Sequence, residues 1–350
     1  PRNESAAPAP LIDSFPTDCG GLGTVPRAGE VTFVRDGRLY GVAPDGTSAR
    51  CLARAPAGRR LDWGGSGDRA FLAVSDSKGR VIFEDRDHLL SAELADVAFG
   101  LSRPTGTSVL FGSSDGRRLF KLPSTGGPPE ELSFLKRHDE AIYHPAGEHI
   151  AVVGENHDGD YGIFLATNLG TDPQLLVVGE DARRIYSLSF SPLGFLYYVA
   201  EHDDHFDVHG MSLQPTGTGD VTTSPLQTFY SSEEPIARVV VSQFRPVRRL
   251  AIEVGVDPDA TCPSKTVVWT NQTKPDGETL PGESTKPVGW LPNGDLVYVT
   301  TDAECESTDD IFVWSGDRAT LLAQGVSAPA IRGQLPPPPD PPTVLPEVVA

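Results

Sequence analysis

Ile185-Tyr-Ser-Leu-Ser-Phe-Ser-Pro-Leu-Gly-Phe-Leu-Tyr-Tyr-Val199 is an apolar run, a Ser191-Pro192-Leu193-Gly194 turn and a second apolar run. Both runs are short and rich in aromatic and aliphatic residues. The proline and glycine between them mark a tight turn, so the stretch reads as two strands of a hairpin.

The same grammar recurs along the chain. Arg60-Leu-Asp-Trp63 precedes a Ser66-Gly67-Asp68 turn and the strand 70–74. Val97–Gly100 precedes Pro104-Thr-Gly106 and 108–111, and Ala141–His144 precedes Pro145-Ala-Gly147 and 149–153. Val239–Phe244 precedes a turn at 245–248 and Leu250–Val254, and Val288–Leu291 precedes Pro292-Asn-Gly294 and 296–299. These turns are spaced roughly 40 to 50 residues apart, the period of a four-stranded propeller blade. Third and fourth strands follow, as at Gly162–Ala166 with Gln174–Val178, and at Asp310–Trp314 with Ala319–Ala323.

Near the N-terminus, Val31–Arg35 and Arg38–Val42 flank Asp36-Gly37, a strong two-residue hairpin signal. With a third strand at 48–53 they form a meander that lacks an inner strand. Ala328–Arg332, near the C-terminus, is a strand with nothing after it. Pairing it with the first meander beside Val31 gives an all-β, seven-bladed β-propeller with protected sheet edges. The alternative is six blades, if the loop-rich unit 236–282 is irregular. The chain then divides into an N-terminal arm or stalk (1–28), a propeller (29–333) and a Pro-rich disordered tail (334–350).

Leu188-Ser-Phe-Ser-Pro-Leu-Gly194, followed by Phe195-Leu-Tyr-Tyr-Val199, resembles the repeat of the WD40-like, TolB-type bacterial propellers. That repeat usually carries Asp between its Pro and Gly, where this chain has Leu193, Ala146 and Asn293. The resemblance covers about 29–333. It implies a ring used mostly as a binding platform in the bacterial envelope. An Arg to Lys ratio of 23 to 6 fits a GC-rich bacterial source.

The formal net charge is −19 over 350 residues, which disfavours nucleic acid as a partner. No apolar run reaches the roughly 20 residues that span a bilayer. The resemblance implies an extracytoplasmic protein, secreted, periplasmic or anchored at the cell surface through a removed N-terminal segment. A monomer is expected, with an envelope or extracellular protein, or a small ligand, as partner.

In a propeller the loops between second and third strands share one rim with the blade connections. Here those loops are acidic and predict an anionic rim through Asp115, Asp158, Asp160, Asp203, Asp204, Asp207, Asp309 and Asp310. The densest group is His157, Asp158 and Asp160 together with His202, Asp203, His205 and Asp207, with Asp204 and His209 beside them. Imidazoles mixed with carboxylates suit zinc, and carboxylates alone suit calcium. The competing reading is solvated hairpin loops that bind no metal.

Four cysteines without a CxxC motif favour two disulfides over free thiols. Cys262 and Cys305 lie in equivalent loops of neighbouring blades and make one expected pair. Cys19 in the arm and Cys51 in the first meander make the other. Gly112-Ser-Ser114-Asp-Gly116 matches the GxSxG pattern of hydrolases, but a strand follows it instead of the helix a nucleophile elbow needs. The expected function is a non-catalytic binding platform. The alternative is a metal-assisted lyase or hydrolase that uses the His/Asp loops of blades four and five.

Overall fold

A computed structural model describes residues 11–12, 14–20, 26–27, 29–54, 61–64, 71–74, 80–83, 86–89, 97–102, 108–113, 115–123, 127–179, 181–215, 221–242, 249–255, 264–270, 277–301 and 309–331. Over 61–102 the description is of the backbone alone. Among the described residues every named element is a strand. No helix there is long and apolar enough to cross a membrane.

β1 (Val31–Arg35), β2 (Arg38–Val42) and β3 (Ala49–Arg54) form the first meander. Asp36 and Gly37 both have positive φ, 49° and 68°, as a two-residue hairpin turn of matching twist requires. β4 (Leu61–Gly64), β5 (Phe71–Val74), β6 (Arg80–Phe83) and β7 (Arg86–Leu89) make one sheet. β8 (Val97–Ser102), β9 (Ser108–Ser113), β10 (Leu119–Pro123) and β11 (Glu130–Glu131) make the next. β12 (Arg137–Tyr143), β13 (His149–Glu155), β14 (Tyr161–Thr167) and β15 (Gln174–Val178) follow.

β16 (Arg184–Phe190), β17 (Phe195–Glu201) and β18 (Phe206–Pro215) share an outer edge divided between β19 (Val221–Thr223) and β20 (Gln227–Ser232). β21 (Ile236–Val241), β22 (Arg249–Val254), β23 (Lys265–Thr270) and β24 (Glu278–Thr279) form a sheet of their own. β25 (Ser284–Trp290), β26 (Leu296–Thr301), β27 (Asp309–Trp314) and β28 (Ala319–Ile331) complete the order.

β28 corrects one expectation. The separate strands expected at 319–323 and 328–332 are a single strand of 13 residues. It pairs first with β27 and then with β1, setting Val31 opposite Ile331 and joining seven strands in one sheet. Positive φ at Gly325 (66°) and Ala328 (48°) lets the strand turn from one partner to the other without a break.

The core lies between sheets, and the opening stretch shows why. Along β17, Phe195, Tyr197 and Val199 face the β21–β23 side, whereas Leu196, Tyr198 and Ala200 face the β13–β14 side. Period-two alternation with both faces apolar places this strand between two neighbouring sheets. Trp290 and Trp314 are buried in the layer between β22–β23 and β25–β27. Innermost strands contact one another in the order β28, β4, β8, β12, β16, β21, β25, and β25 meets β28 again.

The arm is stapled on. Leu11 N–H donates to the Leu321 carbonyl at 3.0 Å, Ile12 is buried, and Phe15 packs on Phe33 and Tyr40. Cys19 and Cys51 form a disulfide with a Cα–Cα distance of 4.5 Å. The expected pair Cys262–Cys305, Ser114 and the tail 334–350 lie outside the described residues.

Candidate metal centre

The β17–β18 hairpin carries the centre. The His202 N–H donates to the His205 carbonyl at 2.9 Å and closes the loop around Asp203 and Asp204. β18 then sets Asp207 and His209 on one face, because side chains two apart share a face. Val208 between them points the other way and is fully buried.

Three imidazoles converge on one carboxylate oxygen. Asp207 Oδ2 lies 3.7 Å from His202 Nε2, 3.6 Å from His209 Nε2 and 3.5 Å from His205 Nε2. Ligand atoms of His202, Asp207 and His209 all lie within 4.8 Å of one another. His205 is stacked on His202, with ring centroids 4.5 Å apart and planes 13° apart, and is more open to solvent.

The surrounding bonds orient these groups. His202 Nδ1 lies 2.8 Å from the carbonyl oxygen of Asp181, which can only accept, so Nδ1 carries the proton. That tautomer leaves Nε2 as a bare lone pair, and this buried atom has no hydrogen-bond partner. Ser231 donates to Asp207 Oδ1 at 2.5 Å, and Thr228 Oγ1 lies 3.0 Å from His209 Nδ1. Both come from β20, which pairs with this stretch of β18. Burial pushes the His209 imidazole below its ordinary pKa against the pull of Asp207, which favours the neutral, ligating form. The hydrogen bond to Asp204 raises the pKa of exposed His205.

Separations of 3.5–3.7 Å are too long for hydrogen bonds, and a lone pair facing a carboxylate oxygen is repulsive unless a cation lies between them. A tetrahedral metal with ligand bonds of about 2.0–2.1 Å sets its ligand atoms about 3.3–3.4 Å apart. The separations of His202 and His209 from Asp207 lie within a few tenths of an ångström of that spacing, and all three ligand atoms lie within 4.8 Å of one another, so the trio suits a small divalent transition metal once its side chains draw in. The hydrogen bonds of Asp181 to His202, Thr228 to His209 and Ser231 to Asp207 match what such sites use to fix ligand orientation.

His157, Asp158 and Asp160 do not join this group among the described residues. Their loop closes on itself: Asn156 Oδ1 accepts from the Asp158 and Asp160 N–H groups at 2.9 and 2.8 Å, and Asn156 Nδ2 donates to Asp160 at 2.9 Å. His157 Nε2 lies 3.3 Å from the Ser133 carbonyl. Asp203 is exposed, 3.9 Å from Arg183 Nε. Asp204 bonds His205 Nδ1 at 2.6 Å.

Other rim aspartates serve local structure. Asp115 accepts from the Ser113 hydroxyl (2.6 Å) and the Arg117 N–H (3.1 Å), and the Ser113 bond chiefly lowers its pKa. Asp310 accepts from the Gly325 N–H at 3.3 Å, while burial raises the pKa of Asp309. Nor is the rim uniformly anionic. Arg137, Arg183 and Arg184 open β12 and β16 at the same end of the sheets, and the reading by loops passed over them. Thr228 and Ser231 were also missed, since nothing in Gln227–Ser232 signals that it pairs with β18 instead of extending β19.

No protein-family model matches the chain, and no curated protein matches it in sequence. Among solved structures it is similar to an oligogalacturonate lyase in complex with manganese, with a TM-score of 0.51 or above shared by the following examples. For the lyase the TM-score is 0.56 at 12% identity, covering 81% of this chain and 82% of that one. For the β-propeller domain of Swd1 from Myceliophteria thermophila it is 0.53 at 14% identity, covering 83% and 98%. For a puromycin-hydrolyzing peptidase of Mycobacterium tuberculosis it is 0.51 at 16% identity, covering 75% of this chain and 46% of that one. This chain thus spans about half the length of the peptidase. At such identities the likeness shows the fold, and the fold is a β-propeller.

Proposed function

We propose that this chain is an extracytoplasmic, seven-bladed propeller that serves as a binding platform, with a divalent transition-metal site on its rim. The observation that carries the metal site is the bare, buried Nε2 of His202 facing Asp207 Oδ2 beside His209. Two imidazoles with one carboxylate favour zinc, manganese or a similar ion over calcium, which takes oxygen ligands.

Counting the seven-stranded sheet as two, which share β28, supports seven blades. The cyclic contact of the inner strands supports a closed ring, and the four-stranded sheet of β21–β24 favours seven blades over six. The Cys19–Cys51 disulfide supports an oxidising compartment. The partner is an envelope or extracellular protein or a small ligand, and the chain acts as a monomer.

A second reading is a metal-assisted lyase or hydrolase. It is favoured by the same cluster and by the manganese-bound lyase of the same fold. A metal at this site would supply Lewis acidity and a more acidic bound water. On either reading, Asp181 orients His202, Ser231 orients Asp207, and His205 stands at the open side.

The test is elemental analysis of the purified protein, with thermal melts in zinc, manganese and calcium. One bound transition metal per chain is expected, together with a rise in Tm that His209→Ala abolishes. No bound metal and no shift with any of the three ions would remove the site, and the platform reading would stand alone.

A further inference from the structure

A second feature of the same rim is independent of the metal. A cleft of about 570 Å³ opens across the sheets of β8–β11, β12–β15 and β16–β20, within the roughly 300–1,000 Å³ of small-molecule sites. Arg137, Arg183 and Arg184 line it, with Tyr161, Asp115 and Asp139. Its lining sets three guanidinium groups against two carboxylates on a chain of net charge −19, with Glu201 and Asp203 just outside the lining beside Arg183.

The arrangement is held in place. Tyr161 accepts the Ile185 N–H at 3.1 Å and donates to the Ile185 carbonyl at 3.4 Å, which pins its ring between two sheets. The Arg137 guanidinium sits over that ring, 5.7 Å from the centroid, and Arg184 sits over Tyr186 at 5.1 Å. Each carboxylate already has a local partner: Asp139 pairs with Arg137 at 3.3 Å, and Asp115 caps its own turn. Arg183 is held loosely, 3.9 Å from both Glu201 and Asp203, beyond hydrogen-bond reach. Its planar fork of N–H donors can turn to an oxyanion at little cost.

We propose that this cleft binds the oxyanion of a small organic ligand, a carboxylate or a phosphate. Guanidinium groups pair with both through parallel hydrogen bonds. Arg183 is the primary contact, Arg137 on Tyr161 is the fixed wall, and Arg184 completes the cationic side. Asp115 and Asp139 leave room for hydroxyls on the ligand body, whose protons they accept.

Isothermal titration calorimetry with succinate, glucose 6-phosphate and neutral glucose tests this, in EDTA buffer at matched ionic strength. The chelator keeps any metal at His202 out of the result, so this proposal can fail while the metal reading stands, or the reverse. Saturable binding of succinate or glucose 6-phosphate is expected, with none for glucose, and whichever binds identifies the oxyanion. Arg183→Ala, at an exposed position that leaves the fold intact, is expected to weaken binding roughly tenfold or more, as loss of a charge-assisted hydrogen bond does. Arg318→Ala, on a different loop, is expected to bind as wild type. Binding of neither anion, or binding as tight as wild type by both Arg183→Ala and Arg137→Ala, overturns the proposal.

Discussion

The hydroxyl of Ser187 accepts a hydrogen bond from the N–H of Val239, 2.9 Å away in the next sheet. Ser187 sits where the register of β16 with β17 shifts, and its φ of 56° turns the side chain out of its own sheet. In the preceding sheet Glu140, paired just past the shift in β12, accepts from the Leu188 N–H at 3.0 Å. In the following sheet Arg238, paired just past the shift in β21, donates from Nη1 to the Pro287 carbonyl at 3.3 Å. A bulge leaves one residue of the ladder unpaired and re-aims its side chain. Ser187, unpaired in its ladder, uses that freedom to tie its sheet to the next, while Glu140 and Arg238 reach across from paired positions just past their bulges.

Ser187→Ala is therefore expected to leave the Val239 N–H without its acceptor, at a cost of about 1–3 kcal/mol. Ser187→Asn keeps an acceptor and tolerates positive φ, so it should recover much of the loss. Urea unfolding of the two variants decides this. Equal midpoints for wild type and Ser187→Ala would show that the bond is not a structural tie.

The Cys19–Cys51 disulfide closes a loop of 32 residues, and the same arm reaches Leu321 on the far side of the β28–β1 junction. The double substitution of both cysteines by serine is expected to lower stability by roughly 2–4 kcal/mol. Dithiothreitol should lower the wild-type urea midpoint and leave the double variant unchanged. A wild-type midpoint insensitive to the reductant would show that the arm contributes little.

Much of this fold was legible because its signals are local. Asp36-Gly37 announces a two-residue turn, and Phe195–Ala200 is apolar at both parities because neighbouring sheets cover both its faces. What was hidden depends on distance in the chain. Gly325 and Ala328 break the apparent run of β28 in sequence, yet both adopt positive φ and the strand continues. His202 and His209 share one hairpin, so their meeting follows from local pairing. The loop at 156–160 holds the same residue types, but Asn156 occupies the Asp160 carboxylate and the backbone N–H groups of Asp158 and Asp160. The arginine cleft draws on residues from Asp115 to Arg184, which no local pattern connects.

Acid should weaken the protein through His144. Burial, and then the neighbouring His149, push its pKa from 6.5 down to about 4 in the folded state. The unfolded chain therefore takes up the proton first. The stability involved is complete above the unfolded value of 6.5 and is lost as the pH falls through that value toward about 4. The loss amounts to at most about 3 kcal/mol. His144→Asn can replace Nδ1 as the acceptor of the Ala146 N–H, now 3.2 Å away, without titrating. Between about pH 7 and pH 4.5 its unfolding midpoint should fall less than that of wild type. Parallel curves for the two proteins would place the acid sensitivity elsewhere.

Asp207 and Ser231 separate a metal ligand from the group that orients it. Asp207→Asn removes the charge that offsets a divalent ion and replaces an anionic donor with a weak one, so zinc affinity should fall to the limit of detection. Ser231→Ala leaves the carboxylate in place but frees its Oδ1, now held at 2.5 Å by the serine hydroxyl. Loss of such an outer contact typically costs 10–100-fold in affinity, so an intermediate effect is expected. Competition with a chromophoric zinc chelator ranks the two. If Asp207→Asn bound zinc as tightly as wild type, the convergence of His202 and His209 on Asp207 would be a hydrogen-bonding corner of the rim and no metal centre.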